Sequence, residues 1–310
     1  MKEQNLTVSY APHINDKITT SRIMLDVIIA LIPALIASIL IFGYRAAIVT
    51  GVCTFSCVFF EWSFEKITKR KNTIMDFSAA ITGILLAFNL PVTIPIWQAV
   101  FGSLVAIILV KQLFGGLGKN FANPAITARI VLFVAFPITM TTWVVPGLTD
   151  SITGATPLMQ FSKGEIEAIP GIRDLFFGIH GGSLGETSVL ALLIGGIYLL
   201  CRRVITWHAP VSFIGTVFIL TAITGNHPVM QVFSGGLFLG AFFMATDYVT
   251  TPYTKSGRIV FGIGAGLLTV LIRLFGSYPE GVSFGILLMN ILVPFINKVT
   301  MSKALGGKKK

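Results

Sequence analysis

The sequence predicts an all-α integral membrane protein of about ten transmembrane helices, with some helices short or interrupted. Three observations lead there: a strongly apolar composition, a scarcity of charge, and apolar stretches of spanning length that recur along the whole chain. Of 310 residues, 54% are hydrophobic and 12% are charged, against about 25% charged in an ordinary soluble domain. Mean hydropathy is +0.83. A chain this long ordinarily suggests two soluble domains, but the apolar stretches leave room for none.

Apolar runs between charged or Gly/Pro-rich breaks place spans near 23–42, 46–64, 76–90, 95–113, 124–137, 187–201, 208–225, 228–246, 258–275 and 282–297. The whole chain, 1–310, is thus a single polytopic membrane domain. Residues 1–22 are polar and the first apolar run is long enough to cross a bilayer, so no cleavable signal peptide is expected. Three spans are short (76–90, 124–137, 187–201) and abut Asn89-Leu90-Pro91, Asn123-Pro124 and Gly182. Short segments at membrane depth are tolerated where protein or a lined cavity satisfies the freed backbone, so they point to a binding region. The pattern Pro95-x-x-Gln98-x-x-x-Gly102-x-Leu104 recurs as Pro228-x-x-Gln231-x-x-x-Gly235-x-Leu237 at an offset of 133 residues. It opens the fourth and the eighth span, which would make the copies parallel. Four identities in so biased a composition fit both a repeat and chance.

Charge fixes an expected orientation. With the N-terminus taken as cytoplasmic, 18 of the 23 Lys and Arg fall on that side, and Arg45, Lys163, Arg173 and Arg273 on the other, with Arg129 inside a span. Both termini are then cytoplasmic and the loop 138–186 is extracytoplasmic. The net charge of +10 becomes a topology signal and an attraction to anionic membrane lipid, with no nucleic-acid partner implied.

The loop 138–186 is the one long connection. It contains Thr153-Gly154-Ala155-Thr156-Pro157, in which Gly154 permits a tight turn, Ala155 keeps the site small, and Pro157 biases Thr156 towards an extended backbone with its hydroxyl accessible. The chemistry alone fits a modification or ligand site and equally a plain Ser/Thr/Gly linker. Arg129 is harder to place as filler, since a cation in lipid costs about 2.5–3.5 kcal/mol and so must face a polar cavity, an acid or a ligand. Asn123 before Pro124 suits a helix cap whose free amides favour an anionic or carbonyl-bearing ligand. Thr246 and Asp247 close the eighth span, where they line a polar vestibule or Asp247 pairs with Lys255 or Arg258.

Thr153-Gly154-Ala155-Thr156 resembles the S/T-G-A-S/T flavinylation motif of a family of membrane redox proteins: the D subunits of Rnf ion-translocating electron-transport complexes and the B subunits of sodium-pumping NADH:quinone reductases. Two further stretches are similar to that family, Gly115-Gly116-Leu117-Gly118-Lys119-Asn120-Phe121-Ala122-Asn123-Pro124-Ala125 and Phe243-Met244-Ala245-Thr246-Asp247-Tyr248-Val249-Thr250-Thr251-Pro252. Tyr248 departs from the pattern, where proline is common. The first span begins at residue 23, without the long extension usual in the quinone-reductase members, so the Rnf type is the expected one.

The resemblance implies a membrane flavoprotein that relays electrons between reduced ferredoxin and NAD while its complex moves sodium ions or protons. It implies FMN joined to Thr156 by a phosphoester, with Thr153, Gly154 and Ala155 as the recognition sequence of a flavin transferase. It also implies other membrane and peripheral subunits as partners, and a bacterial or archaeal cell membrane as location. Asn120, Asn123, Arg129, Thr246 and Asp247 are the further cofactor-binding candidates, and a second, noncovalent flavin such as riboflavin is left open. No catalytic residue or metal ligand is expected on this chain. His13, His180, His208 and His227 are scattered, Cys53, Cys57 and Cys201 lack cluster spacing, and no ATP or NAD glycine pattern occurs. A solute channel or transporter, or a cofactor-free anchor for redox partners, are the competing classes.

Overall fold

The computed structural model describes residues 19–70, 72–144, 155–165, 169–276 and 280–301. Thr153 and Gly154 lie outside the described residues. Helix α1 (Thr20–Phe42) is N-capped by Thr19, whose side chain accepts from the Arg22 amide. Its exposed residues Leu25, Ile29, Ile32, Ile36 and Leu40 recur every three or four positions and make one outward apolar stripe. Asp26 and Ser38 occupy the buried face. Apolar groups outward and polar groups inward is the arrangement that lipid as solvent requires.

Helix α2 (Tyr44–Ile67) follows Gly43 directly. After it come α3 (Ser78–Phe88) and α4 (Ile96–Leu104), the latter continued by a π-helical segment, Val105–Gln112. Then follow α5 (Pro124–Ala135), α6 (Val189–Cys201) and α7 (His208–Ile223). Helix α8 is broken into Pro228–Phe233 and Leu237–Leu239, and the second piece runs on into a π-helical segment, Gly240–Met244. Helices α9 (Lys255–Phe275) and α10 (Val282–Thr300) close the chain. By length and composition α1, α2, α9 and α10 can each cross a membrane alone, and α3 to α7 are shorter apolar helices.

The short helices need partners at depth. At 11 residues, α3 rises about 16 Å, roughly half the hydrocarbon thickness, so its terminal carbonyls depend on protein donors. Gly185 N donates to Phe88 O at 3.0 Å and Leu184 N to Leu90 O at 3.0 Å, which anchors the segment before α6 on the end of α3. The break in α8 is satisfied similarly: Arg273 of α9 donates to Gln231 O at 2.6 Å and to Ser234 O at 3.0 Å. Helix α9 lies close to α7 because Gly266 has no side chain, and a Cβ there would stand 2.7 Å from Thr216 Cβ.

The two copies of the Pro-x-x-Gln motif share more than sequence. Each opens its helix at the proline, and each helix ends in a π-helical segment, Val105–Gln112 in α4 and Gly240–Met244 in α8. Shifted back by 133 residues, the second segment falls at 107–111, inside the first. A π-helical turn re-aims the side chains after it and recurs at functional sites. Here both segments feed one cavity, through Lys111 on one and Phe242 and Phe243 on the other.

Candidate functional site

Thr156 and Arg129 line the same cavity, together with Trp143, Met159, Glu280 and Ser283. Thr156 is extended (φ −66°, ψ 154°), as the following proline dictates. Pro157 then opens a short helix, Pro157–Lys163, and that turns Thr156 into its N-cap: Oγ1 accepts from Met159 N at 3.2 Å. The residue is 6% exposed. The hydroxyl expected to be openly accessible therefore belongs to a residue that is buried and lines an internal space. Ala155 precedes it, half-buried.

Arg129 is buried on α5 with both ends of its guanidinium engaged. Nη1 donates to Asn89 Oδ1 at 3.1 Å and to Ser283 Oγ at 2.8 Å, and Nη2 forms an ion pair with Glu280 in the turn before α10. Burial pushes the Glu280 carboxyl up to about 7, opposed by the Arg129 charge and reinforced by Glu186.

A second cavity gathers four of the remaining candidates: Asn120, Asn123, Thr246 and Asp247. Asn123 caps α5, accepting from Ala125 N at 3.1 Å and Ile126 N at 3.3 Å. Asn120 donates to Ala122 O at 3.0 Å. Asp247 Oδ2 accepts from Thr250 Oγ1 at 3.0 Å, and among the described residues it forms no ion pair with Lys255 or Arg258. Burial raises its carboxyl above the ordinary range, while the Thr250 and Val249 hydrogen bonds and the Lys111 charge oppose the rise. Tyr248, the departure from the family pattern, lines this cavity and donates its phenol proton to Val204 O.

Lys111 is the residue that sequence reasoning passed over. Inside the span read as 95–113, it sits at the end of the first π-helical segment with its side chain 3% exposed, and Nζ lies 2.7 Å from Glu61 Oε1 and 2.6 Å from Ser78 Oγ. The signal was local: Lys111 ends an unbroken apolar run and is followed by Gln112, which donates to the same carboxylate at 2.8 Å. Asp26 and Asp76, also acids at span ends, have plainer roles. Asp26 pairs with Arg202 at 3.2 Å, and Asp76 caps α3 by accepting from Ser78 N at 2.8 Å.

A polar seam joins the cavities. On α5 and α10, Arg129 meets Ser283 and Asn123 meets Asn290, so the helices run antiparallel. With its amide turned to satisfy both neighbours, Asn290 donates to Thr250 O at 3.0 Å and accepts from Asn123 N at 3.1 Å. Asn89 closes the centre, donating to Leu85 O at 2.6 Å while accepting from Arg129.

Two cavities inside an all-helical, outwardly apolar bundle, each lined mainly by apolar groups but holding one buried cation, and linked by a polar seam, define a polytopic membrane protein that keeps charge inside the bundle. The chain belongs to the NQR2, RnfD, RnfE family, whose model matches residues 7–306. It is 47% identical to the D subunit of the Na(+)-translocating ferredoxin:NAD(+) oxidoreductase complex of Acetobacterium woodii, over 100% of this chain and 98% of that protein. It is 42% identical to the D subunit of the proton-translocating ferredoxin:NAD(+) oxidoreductase complex of Clostridium ljungdahlii, over 100% of this chain and 98% of that one. The D subunit of the ion-translocating oxidoreductase complex of Escherichia coli O127:H6 is 35% identical over 97% of this chain and 99% of its own length.

Proposed function

We propose that this chain is the D subunit of an Rnf-type complex in a bacterial or archaeal cell membrane. There it would help relay electrons between reduced ferredoxin and NAD while the complex moves sodium ions or protons. Relatives alike over their full length and named as that component support the reading. It acts with the other membrane and peripheral subunits and is not catalytic alone.

Thr156 carries FMN through a phosphoester in this reading. The observation that carries it is the cavity that Thr156 shares with Arg129. A threonyl phosphodiester keeps one negative charge, and Arg129 is the cation that would hold it. Transfer from FAD by a flavin transferase joins Thr156 Oγ1 to the flavin phosphate and releases AMP, with Thr153, Gly154 and Ala155 as the recognised sequence. A flavin supplies reversible one- and two-electron transfer when bound. The protein's part is to fix the attachment point, to supply a compensating charge through Arg129 and to exclude water with Trp143, Met159 and Phe284. The second cavity suits a noncovalent flavin such as riboflavin, since Asn120, Asn123 and Thr246 supply neutral polar groups and Asp247 and Lys111 charged ones.

Intact mass of the purified chain, then peptide mapping of 138–186, tests this. The expected result is one FMN less one water on the peptide containing Thr156. Thr156→Ala should remove flavin fluorescence from denaturing gels while the protein stays inserted; fluorescence that persists sinks the assignment. Thr153→Ala should have a milder effect. A purified wild-type complex with no bound flavin at all would favour a transporter or an anchor. The orientation has its own test: Ser162→Cys should react with an impermeant maleimide outside intact cells, and Ser302→Cys only after lysis.

A further inference from the structure

Around the break in α8, four buried polar atoms meet no hydrogen-bond partner among the described residues: His180 Nε2, Ser183 Oγ, Glu186 Oε2 and Arg273 Nε. Their residues are 3%, 0%, 3% and 6% exposed. Buried polar groups in native proteins are satisfied by protein, water or an ion, so such a cluster points to something bound. Three of the four are on one short segment, 180–186, and each can accept. His180 Nδ1 lies 3.0 Å from Gly181 O, which only accepts, so Nδ1 carries the proton and Nε2 presents a lone pair. Burial lowers the His180 pKa, opposed by hydrogen bonds to the Gly181 and Thr187 backbone and by the Glu186 and Asp174 charges. Glu186 Oε1 accepts from Ser183 N at 3.0 Å, which leaves Oε2 free. A carboxylate oxygen, an imidazole lone pair and a hydroxyl whose proton can rotate away are each groups that can ligate a cation.

The backbone is shaped around this carboxylate. A Cβ on Gly236, the last residue of the break, would stand 2.8 Å from Glu186 Oε2, and one on Gly182 would stand 3.4 Å from Oε1. Interrupted helices in membrane proteins place ion sites at such breaks. Arg273 stands across the Gly235-Gly236 pair, but its Nη atoms are held by the Gln231 and Ser234 carbonyls, and among the described residues it makes no ion pair with Glu186.

We propose that Glu186, with His180 Nε2 and Ser183 Oγ, binds a sodium ion at the break in α8. The charges facing the site set when it fills. Glu186 and Glu280 balance Arg273 and Arg129, so the buried network is neutral as it stands, and Asp174 at the rim is exposed to solvent. Arg273 opposes a further positive charge. An added negative charge in the Thr156 cavity, beside Glu280, unbalances the network, and uptake of one cation at Glu186 restores it. That last link rests on FMN at Thr156. It gives the chain a way to tie cation binding to negative charge in the cofactor cavity.

The test is the temperature at which this chain dissociates from the purified complex, compared in sodium chloride and in choline chloride of equal ionic strength. A ligand that binds only the folded state raises that temperature. The wild type should be stabilised by sodium relative to choline at one fixed pH. Glu186→Gln keeps the acceptor for Ser183 N but loses the charge. It should raise the concentration needed for half-maximal stabilisation about ten- to hundred-fold, and Ser183→Ala should do so less. A Glu186→Gln complex with the wild-type response to sodium overturns the proposal, as does a wild type with no response to sodium. If Glu186→Gln does not assemble, His180→Gln and Ser183→Ala decide in its place, and wild-type responses from both overturn it. Thr156→Ala should weaken the response without abolishing it, and an undiminished response there rejects the link to the flavin charge while the site stands. Absence of covalent flavin from the wild type is read separately on denaturing gels and counts against the cofactor assignment alone.

Discussion

The two cavities each hold a buried cation, yet they neutralise it in opposite ways. Lys111 faces Glu61, whose side chain is 0% exposed on a long helix, and Gln112 and Thr73 bind the same carboxylate oxygen. Arg129 faces Glu280, 21% exposed in the turn before α10 and poised by burial to titrate near neutrality. The first pair is closed off from solvent. The second can trade its acid for a proton, and therefore Arg129 can be lent to another anion. That difference separates a cavity whose charge is part of the fold from one whose charge is available to a ligand.

Breaking the closed-off pair should have the largest effect. Lys111→Met leaves Glu61 unpaired and fully buried, which costs about 3–5 kcal/mol, enough to deplete the assembled complex on size exclusion in detergent. Adding Glu61→Leu should recover part of the loss, because an apolar pair replaces the salt. Arg129→Met should act differently, since Glu280 can take up a proton and remain buried without a partner. Expression and Thr156 flavinylation should persist while ferredoxin-to-NAD electron transfer falls about ten-fold or more. If assembly falls first, Arg129 serves packing; if amounts and activity are both normal, its charge serves neither.

A pH experiment sharpens the same contrast. Because the folded Glu280 carboxyl titrates near 7, above its ordinary 4.5, folding takes up a proton in between. The stabilisation is complete below about 4.5 and is lost as pH rises through about 7. Thermal stability of the complex should therefore decline from pH 6 to 8 through Glu280, and Glu280→Gln should flatten that decline. An unchanged slope in the variant would mean that Glu280 does not titrate there.

Much of this was legible in the sequence because lipid imposes one simple rule on every span. The ten apolar runs correspond to α1–α10, and the three segments read as short are short in the structure: Ser78–Phe88, Pro124–Ala135 and Val189–Cys201. Asn123 before Pro124 was readable as a cap because capping is local. Arg129 was readable as needing polar company because its cost in lipid does not depend on the fold. Its particular partners were not, since Asn89, Ser283 and Glu280 come from three other parts of the chain. Lys111 lies inside the span read as 95–113, but its partners were not readable, since Glu61 and Ser78 come from two other helices. Glu186 and Arg273 looked like loop and interface charges, and only the break in α8 brings them to one place.

The smallest effect concerns the seam between the cavities, and it asks whether they are coupled or merely adjacent. Asn290 is 2% exposed and ties α10 to both Thr250 and Asn123, at the rim of the Lys111 cavity and away from Arg129. Asn290→Leu conserves volume but leaves the Thr250 carbonyl and the Asn123 amide unsatisfied, each worth about 1–3 kcal/mol when buried. Partial relaxation should hold the net loss to a few degrees in the melting of the complex, less than Lys111→Met costs. Thr156 flavinylation should be unchanged, since the Thr156 cavity keeps all its lining residues. Suppose electron transfer also stays at the wild-type level although the seam is cut. The cavities then work independently, and the seam serves only to satisfy polar groups on two antiparallel helices. A fall in electron transfer larger than the stability loss explains would instead place Asn290 in the coupling between them. Comparing rates per assembled complex, with the melting temperature of the same preparation, separates the two.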